Sequence, residues 1–558
     1  MRIQKRKLIP VISLIIWMLA ILTGYVSYDV NDDTALNMIG VGALGTGRQY
    51  LIYSNILLGY FLEFLSVCFP YINCYLWFYL VMDLLAVIAI SLIITDSMNN
   101  RTAAVTTVGI NLLFVGEFYV HITYTKSAAL FGTAGLITLM WLIKKGKRDW
   151  GLMLLSFVLI TFGMWARWKA FALCVPFVLG VELIDIASDV IGKKEKIHLK
   201  KYVPLFVAVA ICVASFVVDS LAYRLDDGWN EFRKTDNLLI EMRDNNRYLF
   251  GDAPDEYIEA GITENDFNMI RGNWMWNDPN YFNSERLGKL KEIGIKHDPG
   301  ILRFDVSLIK GTIKELIYIL SSKSFGIVFV ILLLLAVIRG NKAMFIKLVY
   351  VSFVFAGEMY YMFCLNRVLW RAEVGTVLAA VLTLAYLVAL TMEDARKEQK
   401  QVRKAYYAFA AAIIIAFIFT KTLLIDNSRY TNGDNKYEEF QELTKADAFF
   451  VVQDFSQYGM LLGAQNIFDI SSGKYKNYYS NLVELGGVAQ SPAGMYFAGQ
   501  NGITNPVEAL IDADSTFFVG GGTGLQALHD FMEEKYGPGL KWEQVEVDGV
   551  EAYRVSSK

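Results

Sequence analysis

The sequence predicts an α-helical polytopic membrane protein of about eleven spans that carries a small exported α/β domain at its C-terminal end. Three observations predict it. Of 558 residues, 54% are apolar and 19% are charged, against about 25% charged in an ordinary soluble domain. Apolar runs close to the roughly 20 residues that cross a bilayer as a helix recur along the chain. Clusters of Lys and Arg fall between alternate runs, as they do in the cytoplasmic loops of membrane proteins.

The runs lie near Leu8–Ser27, Tyr75–Ile94, Ala103–Ile122, Ala128–Ile143, Trp150–Trp165, Ala170–Ile186, Val203–Tyr223, Ser324–Ile338, Met344–Cys364, Val374–Met392 and Tyr406–Ile425. Before the run at Ser324, the amphipathic stretch Phe304–Leu320 reads either as the first half of that span or as an interfacial helix. The basic clusters are Arg2, Lys5, Arg6 and Lys7 before the first run, Lys144, Lys145, Lys147 and Arg148 after the fourth, and Lys193, Lys194, Lys196, Lys200 and Lys201 after the sixth. Arg339, Lys342 and Lys347 then separate the eighth and ninth, and Arg396, Lys397, Lys400, Arg403 and Lys404 follow the tenth. One side holds them all if the N-terminus is cytoplasmic. The first run lacks a small-residue cleavage site and is expected to be an uncleaved anchor.

That topology makes residues 1–425 a membrane domain with outer loops at 28–73 and 222–315, and places residues 426–558 outside as a soluble domain. Charge agrees with it. Residues 222–315 hold 18 acidic and 13 basic side chains, a net of −5, and residues 426–558 hold 19 and 9, a net of −10. The chain as a whole is −3, so the remainder is +12. A near-neutral total excludes a globally basic nucleic-acid binder. The expected location is a plasma membrane, crossed many times, with the C-terminal domain extracytoplasmic. Neither residues 222–315 nor residues 426–558 contain any of the five cysteines, so no disulfide framework is expected; Cys68 and Cys74 read as two unpaired thiols, with a pair facing the exterior as the alternative.

Within the first outer loop, Leu51–Phe69 is apolar around Glu63 and ends at Pro70. Reading it as a span would put the basic loops on opposite sides, so a helix in the outer interface is expected. In the second loop, Trp229–Arg243 and Thr263–Arg271 are helix-compatible. In the C-terminal region, Ala448–Val452 and Thr516–Val519 read as strands and Leu525–Tyr536 as a helix. Asp548-Gly549 suits a type I′ turn between Val545-Glu546-Val547 and Ala552–Val555. Gly520-Gly521-Gly522-Thr523-Gly524 stands between a strand and a helix but lacks the Lys-Ser or Lys-Thr of a P-loop, and reads as a turn.

Asn31-Asp32-Asp33, directly after the first run, is the sharpest local feature. Two carboxylates at the membrane face suit a general base toward a hydroxyl, or a divalent-cation site; the plainer reading makes Asp33 the N-cap of a helix starting at Thr34. Arg48, Lys126, Arg167, Lys169, Arg367 and Arg371 lie in short outer loops, where guanidinium and ammonium groups would hold a phosphate or snorkel to headgroups. Glu117 and His121, four apart, are expected on one helical face, and Glu358 lies inside the ninth run; ionisable groups at such depth face a cavity or a partner. Glu117 and His121 do not make a zinc motif, because no third ligand is visible.

The acidic pair after the first span, the long first outer loop with its apolar helix, the many short-looped spans, the outer Arg residues and the exported C-terminal domain together resemble the GT-C superfamily of integral-membrane glycosyltransferases. Asn31–Tyr60 and Gly261–Phe282 are similar in wording to bacterial membrane proteins of this kind. The resemblance implies transfer of a sugar from a polyprenyl-phosphate-linked donor to a glycan, lipid or protein acceptor of the cell envelope, with inversion at the anomeric carbon. It gives Asp32 or Asp33 the role of base, and Arg48, Lys126, Arg167, Lys169, Arg367 and Arg371 that of holding the phosphate. Glu63, Trp274, Trp276 and Asp278 become sugar contacts or loop packing. Some relatives use a divalent cation and others none. A polysaccharide polymerase, ligase or flippase, or a non-enzymatic envelope scaffold, are the alternatives; neither needs the acidic pair.

Overall fold

A computed structural model describes residues 2–146, 148–192, 199–245, 247–298, 300–301, 303–339, 342–394, 434–453, 455, 467–512 and 515–557. Among the described residues, seventeen α-helices precede the C-terminal region. The first nine are α1 Arg2–Thr23, α2 Asn31–Val41, α3 Ile56–Cys68, α4 Cys74–Ile94, α5 Asn100–Phe114, α6 Tyr124–Lys145, α7 Trp150–Ala166, α8 Trp168–Gly192 and α9 Val203–Arg224. After them come α10 Asp227–Arg243, α11 Pro254–Glu259, α12 Glu264–Phe267, α13 Ser284–His297, α14 Val306–Ser322, α15 Ser324–Arg339, α16 Lys342–Cys364 and α17 Trp370–Asp394.

Among the described residues, eight helices are long and apolar enough to cross a membrane, or nine if α14 and α15, bent by 87° at Lys323, form one broken span. The eleven expected spans are reduced for two reasons. Trp150–Ala166 is a shorter apolar helix of 17 residues, and the Tyr406–Ile425 run lies outside the described residues. The apolar stretch of the first loop forms α3, whose 13 residues reach only about 20 Å, short of the roughly 30 Å of hydrocarbon. That length agrees with an interfacial helix.

α6 is the axis of the bundle. Every residue from Tyr124 to Ile143 is buried, and small residues let its neighbours come close. A Cβ on Gly163 of α7 would stand 2.8 Å from the Gly132 amide nitrogen, and one on Gly135 would stand 2.9 Å from that of Ile160. Backbones can approach this closely only where side chains are absent, which is how helices associate in lipid. Polar contacts also join the helices: Ser127 donates to Asp83 at 2.9 Å, Asn111 to Ser13 at 3.0 Å, and the Trp17 indole to the Leu80 carbonyl at 3.1 Å. α6 stops at Gly146 (φ +58°), whose amide reaches the Ile143 carbonyl.

At the opposite end of α6, a two-residue parallel pairing joins β1 (Ser27–Tyr28) to β2 (His121–Ile122), with Ser27 opposite His121 and Tyr28 opposite Ile122. It ties the exit of α1 to the exit of α5. Between α5 and β2 the chain makes a π-helical turn, Val115–Val120, so Glu117 and His121 do not share a helical face. The expected α-helical spacing fails because the wider turn and then an extended strand follow Phe114.

The C-terminal region opens with α18 (Asp434–Lys445) and forms a five-stranded sheet from β3 Phe449–Val452, β4 Leu482–Glu484, β5 Thr516–Val519, β6 Lys541–Val547 and β7 Val550–Ser556, in the order β4-β3-β5-β7-β6. β3 runs parallel to β4 and β5, while β7 is antiparallel to β5 and β6. The β6–β7 turn is as expected: Asp548 (φ +52°) and Gly549 (φ +84°) both take the left-handed conformation that a type I′ turn needs. After β5, the glycine run ends the strand and starts α19 (Gly522–Tyr536). This region and the 222–315 segment are not separate bodies. Leu239, Trp276, Phe282 and Leu290 share one core with Val451, Leu485, Phe518 and Phe531, and the Trp276 and Asn277 amides both donate to the Leu485 carbonyl.

The same region clamps the first loop. The amides of Asn477 and Tyr479 donate to the carbonyls of Gly42 and Ala43 at 2.9 and 3.1 Å, Gly473 to Pro70 at 2.6 Å, and Asn73 Nδ2 to the Ile467 carbonyl at 2.5 Å.

Candidate functional site

The site is built where β1 and β2 end. Asn31 starts α2 with Val30 at the N-cap and no side-chain cap, so Asp33 is not the N-cap that its sequence neighbours imply. Its carboxylate instead serves another helix. Oδ1 accepts from the Tyr124 amide, the first residue of α6, at 2.8 Å and from the Tyr75 hydroxyl at 2.9 Å. The α6 N-cap, Thr123, makes no side-chain cap bond of its own, so Asp33 supplies an acceptor that the helix end lacks. Asp33 is fully buried. Burial pushes its carboxyl up to about 7, against the lowering pull of the Tyr124 amide and of the Thr123 and Tyr75 hydroxyls.

Asp32, one residue earlier, points the other way. Its side chain is 27% exposed, and Oδ2 lies 3.3 Å from Nη1 of Arg371, in the first turn of α17. Arg167, at the α7–α8 junction, lays its guanidinium over the Tyr124 ring at 4.9 Å and the Tyr53 ring at 5.4 Å and donates to the Tyr124 hydroxyl. Tyr124 therefore holds Asp33 by its backbone and Arg167 by its ring and hydroxyl. Both carboxylates and the Tyr124 phenol act electrostatically on Arg167.

α10 closes the site from the loop side. Asp236, Arg243 and Asp244 share one face of its helical repeat. Asp236 and Arg243 both act electrostatically on the Tyr53 phenol, as do Asp32 and Tyr124. Burial pushes Asp236 up to about 6, with Arg243 and Lys169 lowering it and Asp244 raising it. Asp244 Oδ2 pairs with Arg367 Nη1 at 2.8 Å, four residues before Arg371. Arg243 stacks on Trp274 at 4.6 Å and Trp276 at 4.8 Å. Trp274 is 44% exposed and holds a left-handed backbone (φ +56°).

The residues picked out by sequence thus divide. Asp32 pairs with Arg371, Arg167 lies over Tyr53 and Tyr124, Arg367 pairs with Asp244, Trp274 stacks on Arg243, and Lys169 lies in electrostatic range of Arg167, Arg367, Asp236 and Asp244. Arg48 sits at the far end of α2, donating to the Gly40 carbonyl at 3.0 Å, with Glu63 in electrostatic range. Trp276 is buried, and Asp278 accepts from Asn505 at 2.9 Å and Tyr536 at 2.6 Å, so both are packing between the 222–315 segment and the sheet domain. Glu358 accepts from Thr376 at 3.0 Å and fastens α16 to α17. His121 Nδ1 meets Ser27 Oγ at 3.1 Å across the β1–β2 pairing. Asp29, Tyr53, Asp236, Arg243 and Asp244 were not picked out. The last three had a readable signal, since i, i+7 and i+8 fall on one helical face.

Lys126 and Glu117 form a neighbouring cluster. The Lys126 ammonium, fully buried, lies 2.9 Å from Glu117 Oε2, 3.1 Å from Asp29 Oδ2 and 2.7 Å from the His121 carbonyl. The other Glu117 oxygen accepts from the Trp370 indole at 2.9 Å. Among the described residues no group of three or more His, Cys, Asp or Glu is arranged to hold a metal ion. Where the carboxylates of Asp29 and Glu117 converge, the Lys126 ammonium already stands between them and leaves a divalent cation no room.

Fold and site together define a multi-pass membrane protein with a carboxylate and guanidinium site at one end of its helical bundle, under a roof of α10 and the sheet domain. No protein-family model matches the chain, and no curated sequence matches it. Among solved structures, ArnT from Cupriavidus metallidurans in the apo state is similar with a TM-score of 0.40 at 10% identity, over 98% of this chain and 97% of that one. The same protein bound to undecaprenyl phosphate is similar with a TM-score of 0.38 at 12% identity, over 98% and 97%. The apo oligosaccharyltransferase of Archaeoglobus fulgidus is similar with a TM-score of 0.46 at 11% identity, over 98% of this chain and 70% of that one.

Proposed function

We propose that this protein transfers a sugar from a polyprenyl-phosphate carrier to a hydroxyl of a cell-envelope acceptor, at the extracytoplasmic face of a plasma membrane. The observation that carries the reading is the Asp32–Arg371 pair, partly exposed and in electrostatic range of Arg167 at the end of the bundle. A general base and the cationic groups that meet a departing phosphate are what this reaction requires.

In the resting site Arg371 occupies Asp32. An incoming phosphate competes for that guanidinium and leaves the carboxylate to the acceptor. The acceptor hydroxyl gives its proton to Asp32 as its oxygen bonds to the anomeric carbon. On the opposite face the carbon–oxygen bond to phosphate breaks, its electron pair leaves on the phosphate oxygen, and Arg371 and Arg167 meet that charge. Attack and departure on opposite faces invert the anomeric centre. Of the two adjacent carboxylates only Asp32 suits the role of base, because Asp33 is buried and committed to Tyr75 and Tyr124. Trp274 offers a ring face to an acceptor sugar. The test incubates purified protein with a panel of polyprenyl-phosphate sugars and measures release of the carrier phosphate. The expected result is consumption of at least one donor, lost in Asp32→Asn; a panel left untouched, or a variant as active as the parent, overturns the proposal.

A further inference from the structure

Lys126 is the one ammonium among the described residues that is both fully buried and set between two carboxylates. A lysine is removed from water only at a cost of several kcal/mol unless its donors are all met. Here they are. Its three N–H groups face three acceptors, Glu117 Oε2, Asp29 Oδ2 and the His121 carbonyl, all between 2.7 and 3.1 Å. Those acceptors come from two stretches far apart in the chain: Asp29, just after β1, and the π-helical turn and β2 that follow α5. Two carboxylate oxygens and a backbone carbonyl are the donor set of a hard divalent cation, and the ammonium takes its place.

The cluster also reaches the reacting groups. Asp29 lies three residues before Asp32. Glu117 holds the Trp370 indole, and Arg371 follows Trp370 and pairs with Asp32. One buried positive charge thus fixes both the carboxylate and the guanidinium of the site through short lengths of chain.

We propose that Lys126 is the built-in cation of this site, doing by its ammonium group what a bound divalent ion would do for Asp29 and Glu117, so that the site assembles and works without added metal. Lys126 is then a positioning residue. It does not touch the donor, because its three N–H groups are used. The activity arm of the test rests on the transferase reading, whereas the metal-binding arm does not.

The full-length protein is stripped with EDTA and titrated with Mn2+, followed by electron paramagnetic resonance. The wild type is expected to bind no Mn2+ tightly, and Lys126→Ala to gain one site with an affinity at least tenfold above the wild type, since the carboxylate pair is then open. Where a donor is turned over, the EDTA-treated wild type keeps its rate, Lys126→Ala loses at least tenfold, and Mn2+ restores part of that loss, which a merely structural lysine would not allow. Tight Mn2+ binding by the wild type at Asp29 and Glu117, abolished in Glu117→Gln, overturns the inference. So does a wild-type rate lost on EDTA treatment and regained with Mn2+. If Lys126→Ala does not fold, the two wild-type measurements decide alone. A panel of donors left untouched defeats the transferase reading and leaves the Mn2+ titration standing.

Discussion

The two ends of the helical bundle use the same kinds of residue for different ends. At the end where the basic loops gather, Lys144 lies 3.0 Å from Glu182 and 2.5 Å from Asp185, Lys347 also pairs with Asp185, and Arg6 pairs with Asp149. Each of these charges meets an opposite one, and the result ties α6 to α8 and α16. At the other end Lys126 is satisfied in the same way, but Asp32 and Arg371 share a single 3.3 Å contact and stay partly exposed under α10. A saturated ion cluster holds helices together. A loosely paired one leaves a carboxylate and a guanidinium for something else to use.

The contrast can be broken most severely at Asp32. Asp32→Asn should lower donor turnover about a thousandfold, within the 10²–10⁴ range for loss of a general base, with the thermal midpoint in detergent unchanged. A melting shift as large as the activity loss would make Asp32 structural. Asp33→Ala should act through stability, costing about 1–3 kcal/mol by leaving the Tyr124 amide and Tyr75 hydroxyl without their acceptor, read from chemical denaturation.

Asp33 also predicts a pH dependence. Its folded value of about 7 lies above the ordinary 3.8, so the folded state binds the extra proton, and this contribution to stability is full below about pH 4 and lost as pH rises through 7. Asp33→Asn should flatten that slope; an unchanged slope assigns it to other groups.

A smaller effect is expected at Arg371→Gln, which should raise the apparent KM for donor about tenfold, as loss of one charge-assisted phosphate contact of about 1.5 kcal/mol would. A change in kcat alone would separate Arg371 from ground-state phosphate binding. Smallest of all, Lys144→Met at the opposite end should leave turnover unchanged while lowering stability by about 1–2 kcal/mol, between the values for exposed and buried pairs. A loss of activity there would make the two ends one coupled system.

Much of this was legible in the chain and some was not, for physical reasons. Long apolar runs report membrane helices directly, because hydrocarbon leaves a backbone few other options. The β6–β7 hairpin was readable because Asp-Gly tolerates two left-handed residues in succession. The face shared by Glu117 and His121 was misjudged because a π-helical turn leaves no periodic trace. The N-cap reading of Asp33 failed because Tyr124, its real partner, is 91 residues away. Trp276 and Asp278 were readable either as sugar contacts or as loop packing, because the contacts that settle them with Leu485, Asn505 and Tyr536 are ones only folding brings near.

Local composition by itself determined that the chain enters a membrane many times, that basic loops alternate with acidic segments, and that two carboxylates follow the first helix. These properties follow from hydrophobicity and charge, which act residue by residue. Tertiary structure alone decided which of the two adjacent carboxylates is buried at a helix end and which faces Arg371. It also decided that Lys126 stands buried between Asp29 and Glu117, and that the sheet domain and α10 share one core. Those outcomes depend on partners far apart in the chain, whose meeting is set by packing and by the need to satisfy every buried charge.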